Sequence, residues 1–127
     1  MYLIKVKDDF CAAHFLKWKD GSAEELHGHN WKVEVAVKCE RLDASGIGID
    51  YVYVYNHLHN LLNESLDHRN LNMLEDFTKA NPTSENVARW IYDKMALIIK
   101  KRNPKAEIYS VTVCETEQFC VEYNEES

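Results

Sequence analysis

Two histidines stand two apart in an otherwise apolar, alternating stretch, His27-Gly28-His29, and a third, His14, ends the extended segment before it. Side chains at positions i and i+2 of a strand share one face, about 6–7 Å apart, so both imidazoles can grip one cation. Gly28 keeps the opposite face free of bulk, and the short polar connection over 17–25 can fold His14 back beside the pair. Three neutral imidazoles make a catalytic type of zinc site, because a tetrahedral ion held by three protein ligands keeps one position open for water or substrate. His57 and His59 form a second His-x-His, but in a region of helical period. At i and i+2 of a helix they point roughly 200° apart, which excludes them as a metal pair.

The elements that must position these residues can be read from periodicity. Residues 2–16 are extended and weakly alternating. His27, His29, Trp31, Val33, Val35 and Val37 share one parity against Lys32, Glu34 and Lys38, which is a strand with one buried face. From Tyr51 the period becomes helical, with Val52, Tyr55, Leu58, Leu61, Leu62 and Leu66 as the apolar stripe. A second helix begins after Asn81-Pro82, with Thr83 as N-cap and Glu85 in the first turn. Its stripe is Val87, Trp90, Ile91, Met95 and Ile98, and Asn103-Pro104 stops it. Two closing strands alternate at Tyr109, Val111, Val113 and at Phe119, Val121, Tyr123. The order ββααββ predicts an α+β domain, with two helices on one face of an antiparallel sheet.

Composition narrows the function without naming it. The 127 residues, 46% hydrophobic and 28% charged, suit a single domain over 1–127. A formal charge of -6 argues against nucleic acid as a partner. The basic run Lys100-Lys101-Arg102 falls where a helix ends and complements its dipole. No apolar run approaches the ~20 residues that span a bilayer, and the opening residues do not read as a signal peptide, so no membrane partner and a cytoplasmic location are expected. Cys11, Cys39, Cys114 and Cys120 show no C-x-x-C spacing and are expected to be reduced and buried.

Five motifs appear in order: Phe10-Cys11-Ala12-Ala13-His14, Leu26-His27-Gly28-His29-Asn30-Trp31, Leu66-Asp67-His68-Arg69-Asn70-Leu71-Asn72, Pro82-Thr83-Ser84-Glu85-Asn86 and Cys114-Glu115-Thr116. Together they resemble the 6-pyruvoyltetrahydropterin synthase family, which includes the 6-carboxytetrahydropterin synthases. The resemblance runs from about Phe10 to Tyr123. It implies the tunnelling fold, whose subunits join their sheets into a barrel, commonly as a homohexamer built from two trimers with active sites between subunits. It implies 7,8-dihydroneopterin triphosphate as substrate, Zn2+ on His14, His27 and His29, Glu115 as the pterin anchor, and Asp67 with His68 as the acid/base pair. Such roles suit the residues. A carboxylate can accept two hydrogen bonds from a pterin's amino and ring N–H groups, and an aspartate beside a histidine orients the imidazole and raises its basicity.

The pattern breaks at one place. The carboxy-forming members carry a catalytic cysteine four residues before the first histidine of His-x-His, and here that position is Ala23. The longer six-residue spacing lands on Gly21. A third branch of the family has a glutamate three residues before that histidine and makes 6-hydroxymethyl-7,8-dihydropterin, a folate precursor. Glu24 fits that spacing. Cys11 does not replace the thiol, because alternation turns it away from His14. Three readings therefore stand: a lyase with Glu24 as base, a carboxy- or pyruvoyl-type synthase with Ala23 replacing its cysteine, and a catalytically silent zinc or pterin binder. Lys17 and Lys19 flank the proposed site and are candidates for the triphosphate.

Overall fold

The structure is a computed structural model and describes residues 1–125; the last two residues of the domain expected over 1–127 lie outside the described residues. Strands β1 (Tyr2–His14) and β2 (His27–Cys39) form one long antiparallel hairpin whose register runs from Tyr2 opposite Cys39 to His14 opposite His27. A short strand, β3 (Arg69–Asn70), lies parallel to Ala12 and Ala13 on the outer side of β1. On the other side of β2 come β4 (Glu107–Cys114) and β5 (Cys120–Tyr123), so the sheet order is β3-β1-β2-β4-β5. The sheet is thus mixed rather than wholly antiparallel. A strand of two residues carries no periodicity, and only its return along β1 makes it a strand at all.

Helices α1 (Tyr51–Ser65) and α2 (Ser84–Arg102) cover one face of the sheet. Asp50 caps α1 by accepting from the Val52 N–H. Thr83 caps α2 by accepting from the Asn86 N–H, as its sequence signal predicts. Lys100, Lys101 and Arg102 occupy the last turn of α2. The core lies between the helices and the inner sheet face. Phe10, Trp31, Val33, Val35 and Val37 meet Leu58 and Leu62 of α1 and Val87, Ile91, Met95 and Ile99 of α2. The stripe of α1 differs from the sequence reading: Val54, Leu58 and Leu62 are buried at successive i+4 positions, whereas Val52 and Tyr55 are exposed. In this run of β-branched and aromatic residues, the apolar side chains ring the first turns, and only the packing chooses among them.

The cysteines also depart from expectation. Cys114 and Cys120 are Cα partners across β4 and β5 and form a disulfide, Cys39 is a buried free thiol, and Cys11 is free but exposed. Two cysteines six apart carry no recognisable pairing signal in sequence. The tight β4–β5 turn is what opposes them. Among the described residues, no helix is long and apolar enough to cross a membrane.

Strand parity decides where the histidines go. Phe10, Ala12 and His14 point to the helix-covered face of β1, and Trp31, Val33 and Val35 to the same face of β2. His14 therefore extends the buried row of β1, and His27 and His29 extend that of β2, at the one end of the hairpin where the apolar row stops.

Candidate metal and pterin site

His14 is 1% exposed, deep for an ionisable side chain. Its Nδ1 donates to the Pro82 carbonyl at 2.8 Å, and the Nδ1 of His27 donates to the Glu25 carbonyl at 2.9 Å. A carbonyl only accepts, so both rings carry a proton on Nδ1 and turn Nε2 inward. The Glu25 carbonyl, more than the carboxylates of Glu24 and Glu115, holds the His27 imidazole above its ordinary pKa. The Nε2 atoms of His14, His29 and His27 lie 2.8, 2.9 and 3.6 Å from one oxygen of Glu115. The four donor atoms all fall within 4.8 Å of one another.

This donor set fits a metal ion. With their Nδ1 atoms bonded to carbonyls, His14 and His27 direct Nε2 at the Glu115 carboxylate, where the rings donate to it when protonated and offer lone pairs to a cation when neutral. Three imidazoles and a carboxylate are ligands of the kind zinc takes. The carbonyls of Pro82 and Glu25 hold two of the rings with Nε2 free to face a metal. Sequence reading missed both. The Pro82-Thr83-Ser84-Glu85-Asn86 run reads as a helix start, yet its proline also supplies the acceptor for the buried histidine.

Glu115 follows the end of β4, and the Cys114–Cys120 disulfide closes the short turn that carries it. Its carboxylate reaches back over the histidines. Beside it, the Thr116 hydroxyl is buried with no hydrogen-bond partner among the described residues.

Asp67 and His68 sit on the outer edge of β1. Asp67 accepts from the Cys11 N–H at 2.8 Å with one oxygen and from His68 Nδ1 at 2.8 Å with the other. The Cys11 N–H, with smaller help from His68, holds the Asp67 carboxyl below its usual range, so it stays ionised and orients the ring. The His68 backbone N–H donates to the Cys11 carbonyl, and the residue takes a left-handed conformation at φ 58°. Its imidazole is 81% exposed. A non-glycine residue in that conformation carries backbone strain, and here the two bonds to Cys11 over-determine it. Cys11 lies on the sheet face opposite His14, as alternation requires, in an open groove that also touches His29, Asn30 and His68.

Glu24 is half-buried, and one carboxylate oxygen accepts from the Leu16 N–H at 2.9 Å. Its own N–H donates to the Leu16 carbonyl at 2.9 Å, next to the Lys17–Ala23 bridge. It is therefore a fixed carboxylate rather than a free loop acid. Ala23, Lys17 and Lys19 are exposed. Glu24 shares no hydrogen bond with Asp67 or His68 among the described residues. His57 lies against Tyr53, while His59 pairs with Asp8 at 2.8 Å, so the helical histidines do part company.

Fold and site together define an α+β protein with a three-histidine, one-carboxylate cluster at the end of its sheet. Residues 3–126 match the 6-pyruvoyl tetrahydropterin synthase family, and the chain belongs to that family. It is 36% identical over 114 residues, 89% of each chain, to the dihydroneopterin monophosphate aldolase of Pyrococcus furiosus. It is 34% identical over 99 residues, 75% of each chain, to a 6-carboxy-5,6,7,8-tetrahydropterin synthase of Synechocystis. The 6-pyruvoyl tetrahydropterin synthase of Caenorhabditis elegans superposes with a TM-score of 0.82 at 28% identity, covering 98% of this chain and 96% of that one. Pterin synthases and a pterin aldolase thus surround the chain, and the fold is theirs.

Proposed function

We propose that this chain, one domain over 1–127, is a zinc-dependent lyase. It cleaves the side chain of a phosphorylated 7,8-dihydroneopterin in the cytoplasm and releases 6-hydroxymethyl-7,8-dihydropterin for folate synthesis. The observation that carries the reading is the carboxylate of Glu24, held by the Leu16 N–H at 2.9 Å, beside an Ala23 that offers no thiol. The aldolase relative, matched over 89% of both chains, supports it. A 6-carboxy- or 6-pyruvoyl-type synthase with Ala23 in place of its cysteine is the second reading, favoured by the relatives that bear those names.

In this mechanism His14, His27 and His29 hold the zinc, which supplies Lewis acidity to the vicinal hydroxyls of the substrate side chain. Glu24 takes the proton of the outer hydroxyl as general base. The carbon bearing that hydroxyl becomes an aldehyde as its bond to the inner carbinol carbon breaks, and the electron pair passes into the pterin ring. His68, oriented by Asp67, returns a proton to the inner carbon, which becomes the hydroxymethyl group. The other product is a phosphorylated two-carbon aldehyde. Glu115 turns from the three imidazoles it touches to anchor the ring through its amino and N–H groups, which leaves the metal to the histidines, and Lys17 and Lys19 are the candidates for the phosphates.

The parts assemble between subunits in this reading. The imidazole of His68 is exposed and shares no hydrogen bond with Glu24 of its own chain among the described residues, and the family resemblance implies a homohexamer with shared sites. The edge of β5 and that of β1 before Cys11 suit such association. Light scattering at micromolar concentration should give a hexameric mass; a monomer would overturn this part. The deciding experiment is incubation of the zinc-loaded protein with 7,8-dihydroneopterin triphosphate, and separately with the monophosphate, followed by product identification. Hydroxymethyldihydropterin supports the lyase. A tetrahydropterin product supports the second reading, and no product with either substrate sinks both.

A further inference from the structure

Three amide and carboxylate side chains from distant parts of the chain replace a missing strand along the edge of β1. Asp67 accepts from the Cys11 N–H; then β3 pairs with Ala12 and Ala13. Beyond the end of β1, Asn72 accepts from the Phe15 N–H at 2.9 Å and donates to the Phe15 carbonyl at 2.8 Å. Asn81 does the same to Lys17, at 2.9 and 2.8 Å. Each asparagine thus matches both polar groups of one residue, as a neighbouring strand would. Asn81 is itself tied down, its carbonyl accepting from the Asn86 side chain at 2.8 Å.

In an extended chain, successive N–H groups point to opposite sides. With Phe15 and Lys17 fixed toward Asn72 and Asn81, the N–H and carbonyl of Leu16 are forced the other way. There they meet Glu24: the N–H bonds its carboxylate and the carbonyl accepts from its N–H, each at 2.9 Å. We infer that Asn72 and Asn81 are positioning residues that act through Leu16 to aim the Glu24 carboxylate. The catalytic half of this inference rests on the reading of Glu24 as general base, whereas the structural half does not.

The test uses full-length zinc-loaded protein with Asn72→Leu, Asn81→Leu and the milder Asn81→Asp, which keeps the acceptor for Lys17 and loses the donor. Hydrogen exchange read on peptides covering 15–25 should speed by about tenfold or more in both leucine variants, and less in Asn81→Asp, with α1 and β4 unchanged. Unchanged exchange over 15–25 overturns the inference whatever the activity. In a double-mutant cycle, Asn81→Leu should lower kcat about tenfold with Glu24 present, and less than about twofold in a Glu24→Gln background, because groups acting through one another are not additive. Equal losses in the two backgrounds overturn the positioning role, as does loss of zinc from Asn81→Asp. If the unaltered protein cleaves no dihydroneopterin phosphate, the proposed function fails, and the exchange measurement still decides the clamp.

Discussion

Zinc bound at one ion per chain should fall to none in His29→Ala, with the fold intact. His29 is the cleanest of the three to remove, because the rings of His14 and His27 also serve the Pro82 and Glu25 carbonyls. His14→Ala should lose the metal as well, and in addition leave the Pro82 carbonyl without its donor, costing about 1–3 kcal/mol of stability. The two variants thus separate metal binding from packing. Added zinc should raise the melting temperature of the unaltered chain, since a ligand at a hundred times its Kd stabilises by about 2.7 kcal/mol. That rise should vanish in His29→Ala. Metal analysis showing full zinc content in His29→Ala would remove the cluster as the site, and with it the proposed mechanism.

The placement of the histidines was legible because strand parity is a local property. His27 and His29 share a parity with Trp31, Val33 and Val35, and that parity alone sends them to the helix-covered face. The register of His14 opposite His27 also follows once the connection over 17–25 is read as a turn. The features that stayed hidden depend on contacts between residues far apart in sequence. Nothing in Arg69-Asn70 announces a strand, and nothing in Asn72 or Asn81 announces that a side-chain amide will stand in for a backbone. The Cys114–Cys120 pair needed the β4–β5 register, which the five intervening positions do not encode. Glu115 is the intermediate case. Its motif marks it as a functional carboxylate, but only the structure places its oxygen among the three imidazoles.

Glu24→Gln should lower turnover by about 10²–10⁴, the usual share of general-base catalysis, while zinc content stays the same. Glutamine keeps the side-chain oxygen that accepts from the Leu16 N–H, so the loop geometry is preserved and only basicity is lost. The loss should appear in kcat, because proton removal belongs to the transition state and not to substrate binding. Ala23→Cys puts a thiol at an exposed position one residue away, where the carboxy-forming members of the family carry theirs. In the proposed mechanism a zinc ion held by the histidines would favour the reactive thiolate. That variant should gain measurable synthase activity, with the tetrahydropterin product appearing beside hydroxymethyldihydropterin. Combining the two changes should leave the thiol product and remove the other, since each base then serves its own reaction. Full turnover in Glu24→Gln would reduce Glu24 to a structural carboxylate on Leu16. An inert parent with an active Ala23→Cys variant would identify a cysteine enzyme that has lost its nucleophile.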